Sequence, residues 1–294
     1  MNEIINYVDN AIQKYGKHGD GSFEFIGINI SKKIDYKIYR KSSVDILCEL
    51  NKTVPYNKIF DLVSDDYLIQ NNMKICDFSK SFLNSTETFR VVFKVDKNLS
   101  QKDEHKCIET FLKKIHGEKY FSRIMHCIKN IEADLLTNSS VLMQLGVEVN
   151  TDGQLLGIKV YANINRDLFM HSNCDTVKML ESITSSDINA KQISEIINHI
   201  VEQEYNPLFI GINFYEDNYE TKLYFGSKVF GFDTKGVIAQ SNNILSKNKL
   251  NMFITEENIK DLYDKGVFIQ GIAFTLEKEI KWKLYLNALP RIKL

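Results

Sequence analysis

Proline and tryptophan are scarce in this chain, three and one in 294 residues. Cysteine is thinly scattered, at Cys48, Cys76, Cys107, Cys127 and Cys174. No two cysteines form a Cys-x-x-Cys pair, and the six histidines show neither His-x-x-x-His nor His-Glu-x-x-His spacing. That leaves no metal ligand set to assign and reads as reduced, buried thiols rather than a disulfide framework. Neither sign of charge is in excess: 37 Lys and Arg against 38 Asp and Glu give a net charge of −1. This argues against a nucleic-acid partner, although not against a local basic cavity. No apolar run reaches membrane-spanning length, and the opening MNEIINYVDNAIQKYG is too polar for a secretory signal, so a cytoplasmic chain with no membrane partner is expected. The glycines form no Gly-x-Gly-x-x-Gly or phosphate loop, and a Ser-nucleophile elbow is absent. There is no Asp-rich Asp-Asp-x-x-Asp box, and the lone pair Asp65–Asp66 reads as charge at a helix end or turn. Nor does any Pro/Gly/Ser-rich linker divide the chain, so a single domain over residues 1–294 is expected.

What the sequence does contain is a repeat. Four segments read apolar–Gly–apolar–x–apolar, then a polar turn, then Lys–apolar–Tyr or its close equivalent. They are IGINISKKIDYKIY (Ile26–Tyr39), LGVEVNTDGQLLGIKVY (Leu145–Tyr161), IGINFYEDNYETKLY (Ile210–Tyr224) and QGIAFTLEKEIKWKLY (Gln270–Tyr285). Alternating β-branched and aromatic residues around Asp, Asn, Gly or Lys turns make each an antiparallel hairpin. A fifth hairpin is expected in the gap between the first two. Its return strand would be Thr88–Val95, with Arg90 and Lys94 as its cations, and its outgoing strand would lie within Met73–Leu83.

Between hairpins the apolar period turns helical. Ile4, Ile5, Val8 and Ile12 share one face, as do Ile108, Phe111, Leu112 and Ile115 behind a Ser100 cap. Ile193, Ile196, Ile197 and Ile200 form a further stripe, and Thr255 caps one carrying Ile259, Leu262 and Tyr263. The expected fold is α+β: about five ααββ repeats whose hairpins close into a ten-stranded antiparallel barrel surrounded by helices. Closure removes sheet edges and gives the amphipathic helices a surface to cover. Two stacked α/β layers, or separate small domains with helices on one sheet face, are the alternatives.

Residues two apart on a strand share a face, so each Lys and Tyr point the same way. If that face is the lumen, Lys37, Lys159, Lys222 and Lys283 stand there with Tyr39, Tyr161, Tyr224 and Tyr285. Buried ammoniums repel one another unless a polyanion neutralises them, and a diphosphate fits that need. Phenol hydroxyls can bond phosphate and ring faces can shelter a carbocation. On an outer face the same residues would be solvated, and the repeats would serve as a scaffold.

The repeated Lys-x-Tyr resembles the diphosphate-binding and carbocation-shielding pattern of the ABBA, or PT-barrel, prenyltransferases. GVEVNTDGQLLGIKVYANI (Gly146–Ile164) and IGINFYEDNYETKLYF (Ile210–Phe225) resemble hairpins of the indole-prenylating branch (dimethylallyltryptophan synthase-like), with Glu148 and Asn213 at Asp positions and Glu220 at an Arg position. The chain's length resembles the compact, cyanobactin-type branch that prenylates cyclic peptides. The resemblance implies a prenyl diphosphate donor and a small aromatic or cyclic peptide acceptor. It implies diphosphate binding by Lys37, Arg90, Lys94, Lys159, Lys222 and Lys283, and cation shielding by Tyr39, Tyr161, Tyr224 and Tyr285. Glu24, from FEFIGINIS, would be the catalytic proton acceptor. No cofactor is required by the resemblance, and magnesium remains compatible with it. A non-catalytic ligand-binding barrel is the rival reading.

Overall fold

A computed structural model of the chain describes residues 25–30, 34–40, 65–83, 86–96, 98–134, 142–163, 173–184, 191, 193–195, 198, 206–226, 257, 260–261, 264, 267–276 and 281–288. Its strands form five hairpins: β1 (Phe25–Ile30) with β2 (Ile34–Arg40), β3 (Met73–Leu83) with β4 (Thr86–Val95), β5 (Leu142–Asn150) with β6 (Leu155–Asn163), β7 (Asn206–Phe214) with β8 (Tyr219–Gly226), and β9 (Val267–Leu276) with β10 (Lys281–Ala288). Each strand is hydrogen-bonded antiparallel to its neighbours in sequence, and β1 also pairs with β10, so the strand order runs round a closed barrel. The second hairpin occupies the segments expected for it, with β4 starting two residues earlier, at Thr86.

Helices fill the gaps between hairpins. α1 (Asp65–Gln70) precedes β3, α2 (Gln101–Lys114) and α3 (Phe121–Asp134) separate β4 from β5, and α4 (Asn173–Ser182) follows β6. The order between β4 and β5 is thus the ααββ expected of the repeat. Ser100 caps α2 by accepting from the Asp103 amide, with Asp103 and Glu104 in the first turn and Lys113 and Lys114 in the last. Both charge placements complement the helix dipole. The stripes on Ile4–Ile12 and on Ile196, Ile197, Ile200, Ile259, Leu262 and Tyr263 lie outside the described residues. Ile193, from the third stripe, is helical and fully buried. Among the described residues, no helix is long and apolar enough to cross a membrane.

The main core lies between barrel and helices. Ile108, Phe111, Leu112 and Ile115 of the α2 stripe are all buried, as are Ile124, Ile128 and Ile131 of α3. Phe93 of β4 meets Phe111 with ring centroids 4.8 Å apart, and the Thr221 hydroxyl of β8 donates to the Ile183 carbonyl just beyond α4. These contacts fix the faces: Phe93 and Thr221 look outward to the helices. Arg90, Val92 and Lys94, and likewise Glu220, Lys222 and Tyr224, therefore look into the lumen.

Candidate functional site

The pairing registers bring the repeated cations onto one closed circuit. Lys37 stands between Gly27 and Ser81, and Arg90 between Ser79 and Glu148. Lys159 stands between Gly146 and Asn213, and Lys222 between Gly211 and Thr275. Lys283 stands between Ala273 and Asn29. Each hairpin steps the circuit by two residues on its outgoing strand, from Ser81 to Ser79 and finally from Asn29 back to Gly27. The fifth step returns to the start, which is the stagger a tilted barrel requires. Every cation therefore has a small residue on its hairpin side and a polar oxygen-bearing residue on the other.

Arg90, not Lys94, supplies the second cation of this ring. Lys94 lies four residues further along β4 and is exposed at the barrel rim. In the fifth hairpin the small residue opposite the lysine is Ala273, while the glycine of the sequence pattern, Gly271, pairs with Tyr285 instead. β1 and β2 are described through backbone pairing, which sets Lys37 and Tyr39 at the ring and aromatic positions. Glu24 lies outside the described residues.

Three of the ring's cations are buried, and two are ion-paired. Arg90, Lys159 and Lys283 are 6%, 4% and 7% exposed, beyond the reach of ordinary hydration. Arg90 forms an ion pair with Glu148, which also accepts from the Thr88 hydroxyl at 3.0 Å. Lys222 pairs with Glu220 at 2.5 Å, and the Asn213 amide donates to the same carboxylate at 2.8 Å. Glu220, read from sequence as the loss of a cation, thus becomes the counter-charge of Lys222. Burial depresses the Lys283 ammonium to about 7, and the nearby Lys222 and Arg90 charges push it the same way, against Glu220 and Glu148.

Two residues beyond each ring cation is an aromatic layer. Tyr161 and Tyr224 are buried, and Phe209 stacks on Tyr224 at 4.4 Å and meets Tyr161 edge-on at 5.4 Å. Tyr39 and Tyr285 hold the equivalent register positions, whereas the second repeat has Val92. The Lys159 ammonium joins the layers. It lies 4.7 Å from the Tyr161 ring centre and 4.8 Å from that of Tyr224, and donates to the Tyr224 hydroxyl. The cation thus lies against the Tyr161 ring and at the hydroxyl end of Tyr224.

The glycine repeat has its reason here. A methyl group on Gly211 would come within 2.8 Å of both Lys159 Cε and Tyr224 Cε2, and one on Gly146 within 3.1 Å of Arg90 Cδ. The long cationic side chains lie across these bare backbones. Gly211→Ala is expected to lower the melting temperature, because the flexible end of Lys159 can move aside but the buried Tyr224 ring, stacked on Phe209, must shift as well. It should cost about tenfold to a hundredfold in anion affinity, since the ammonium leaves its place between the tyrosines. Calorimetric titration with a diphosphate probe, beside a melting curve, checks this.

The remaining polar cluster lies elsewhere. Glu104, His105 and Glu132 present ligand atoms within 4.8 Å of one another between α2 and α3, on the helix side of the core. The described cysteines Cys76, Cys107 and Cys127 are in no disulfide, and burial pushes Cys107 up to about 11 and Cys127 up to about 12, so both stay protonated.

No protein-family model matches the sequence, and no curated protein matches it. Solved structures do. 5-Dimethylallyltryptophan synthase from Streptomyces coelicolor superposes with a TM-score of 0.57 at 8% identity, over 92% of this chain and 81% of that one. The same synthase in complex with DMASPP and Trp gives 0.55 at 8% identity, over 92% and 79%. AnaPT from Neosartorya fischeri gives 0.58 at 11% identity, over 95% and 81%. The likeness is one of fold: the architecture is that of the ABBA prenyltransferases, as the Lys-x-Tyr pattern implied.

Proposed function

We propose that this ABBA-fold chain is a prenyltransferase. It moves a dimethylallyl or longer prenyl group from its diphosphate to an electron-rich aromatic or peptide side-chain acceptor. The observation that carries the reading is the closed ring of five cations, set beside an aromatic layer. Such a ring attracts a polyanion, and such a layer can shelter an allyl cation.

In the proposed reaction the diphosphate lies against Lys37, Arg90, Lys159, Lys222 and Lys283. Heterolysis of the allylic C–O bond leaves the electron pair on the diphosphate, where the ring stabilises the developing charge. Tyr161 and Tyr224, with Tyr39 and Tyr285 at matching positions, screen the allyl cation from water. The acceptor's π electrons then form the new C–C bond, and the proton leaving the alkylated carbon goes to a carboxylate. Glu24 keeps that assignment, since Glu148 and Glu220 are engaged with Arg90 and Lys222.

The test is incubation with dimethylallyl and geranyl diphosphates against a mixed panel of amino acids, simple aromatics and cyclic peptides, with and without magnesium. Mass spectrometry should find an acceptor heavier by one prenyl unit. Tight binding of a prenyl thiolodiphosphate with no product from any acceptor would leave a ligand-binding barrel in its place.

A further inference from the structure

The cation ring carries its own opposing charges. Glu148 is the register partner of Arg90 and is ion-paired with it, while its other oxygen accepts from the Thr88 hydroxyl at 3.0 Å. Glu220 pairs with Lys222 at 2.5 Å, and the same oxygen accepts from the Asn213 amide at 2.8 Å. Donors of this kind favour the ionised form of a carboxylate. The two acid side chains are only 15% and 19% exposed, so salt screens them little. Lys283 feels both: the charges of Lys222 and Arg90 weaken its hold on a proton, and those of Glu220 and Glu148 strengthen it. Five cations and two carboxylates thus form one electrostatic unit, with three positive charges in excess when every cation is charged.

Their placement limits what the acids can act on. Glu220 lies two residues before Lys222 on β8, whereas Tyr224 lies two residues after it. Glu148 pairs across its hairpin with Gly157, two residues before Lys159, whereas Tyr161 lies two after. Both carboxylates therefore stand on the side of the ring away from the aromatic layer. An anion in the ring meets their repulsion directly, and a cation resting on the tyrosines lies beyond that anion. Glu220 also stands at an Arg position of the hairpin it resembles, so its charge is a departure of this chain.

In the proposed reaction the anion in the ring gains charge. Breaking the allylic C–O bond leaves the electron pair on the bridging oxygen, so inorganic diphosphate has one more ionisable oxygen than the donor ester. Repulsion by a fixed charge grows with the charge of the ligand. The two carboxylates thus weaken the hold on the product more than the hold on the donor.

We infer that Glu148 and Glu220 are specificity-determining residues of the ring: they set its excess charge so that the donor ester is held and the inorganic diphosphate product is released. This rests on the transfer reading above for the identity of the two anions, and it gives a role to acids which that reading leaves unused.

Calorimetry with inorganic diphosphate and with a prenyl thiolodiphosphate, on the parent, Glu148→Gln and Glu220→Gln, tests the assignment. Each substitution should tighten both anions, and inorganic diphosphate more, so that the ratio of the two affinities rises about threefold to tenfold. Glu220→Asp keeps the charge and should hold the parent ratio to within about twofold. Weaker binding of both anions by the Gln variants, or an unchanged ratio, would overturn the inference and leave the acids as supports for Arg90 and Lys222. Gln variants that fail to fold even in saturating diphosphate would overturn it too, because the ligand supplies the charge balance they need. A parent chain that does not bind inorganic diphosphate would instead overturn the cation ring and the transfer reading, so the two failures are told apart.

Discussion

Replacing Lys159 with alanine is expected to lower prenyl transfer by at least about a hundredfold while leaving the empty protein folded. The magnitude follows from what one preorganised charge contributes to a transition state that develops negative charge in a water-poor site. Lys159 also contacts both layers: its ammonium lies over the Tyr161 ring and bonds the Tyr224 hydroxyl. In the proposed reaction its removal would withdraw charge from the diphosphate and free a tyrosine assigned to screening the allyl cation. Steady-state kinetics should therefore show a fall in kcat beyond any rise in donor KM. The melting temperature carries the complementary sign. Buried cations held close together oppose folding, so their number should be a cost to the empty chain, and Lys159→Ala should melt no lower than the parent. A variant that keeps full activity, or one that fails to fold, would remove Lys159 from the role given to it.

Four of the five hairpins are legible because period-two alternation, turn residues and the Lys-x-Tyr pair coincide in each. The second hairpin is obscured for physical reasons. Its β3 strand carries a register shift between Ile75 and Asp77, which breaks the alternation. Ser79 replaces glycine at the ring position, and Val92 replaces tyrosine in the layer beyond. Sequence offers both Arg90 and Lys94 as its cation, because both lie on the same face. Only the path of the ladder round the barrel separates a ring residue from a rim residue. In the last hairpin the conspicuous Gly271 points to the wrong register, and Ala273 is the small residue beside Lys283.

The acids were harder to read. Glu148 and Glu220 stand out in sequence as departures from a motif. In the fold each is the partner of a ring cation, Arg90 and Lys222 respectively. Cross-strand neighbours come from segments far apart in the chain, and spacing alone does not reveal them.

Donor binding should take up a proton at Lys283. In the empty site, burial and the neighbouring cations hold this ammonium at about 7, far below the ordinary lysine value of 10.5. A bound diphosphate offsets both causes by supplying counter-charge, so the amine is expected to be protonated in the complex. Affinity for a prenyl thiolodiphosphate should then be flat below about pH 7 and fall, approaching tenfold per pH unit, as the empty site loses its proton above that value. The stability of the empty protein runs the other way. A lysine whose folded value is depressed burdens the fold most below about pH 7, where it is charged in both states. That burden is relieved as pH rises toward 10.5, because the unfolded chain then holds the extra proton. Titrations at mildly alkaline pH, in buffers of different ionisation enthalpy, should report uptake of up to one proton per donor. Lys283→Arg keeps its charge at every pH used and should flatten the affinity profile without losing the anion. Lys283→Met should flatten it by losing the contribution outright. A parent profile already flat to about pH 9, with no buffer dependence, would mean that Lys283 stays charged in the empty ring, and that the carboxylates of Glu148 and Glu220 balance the five cations more fully than their burial implies.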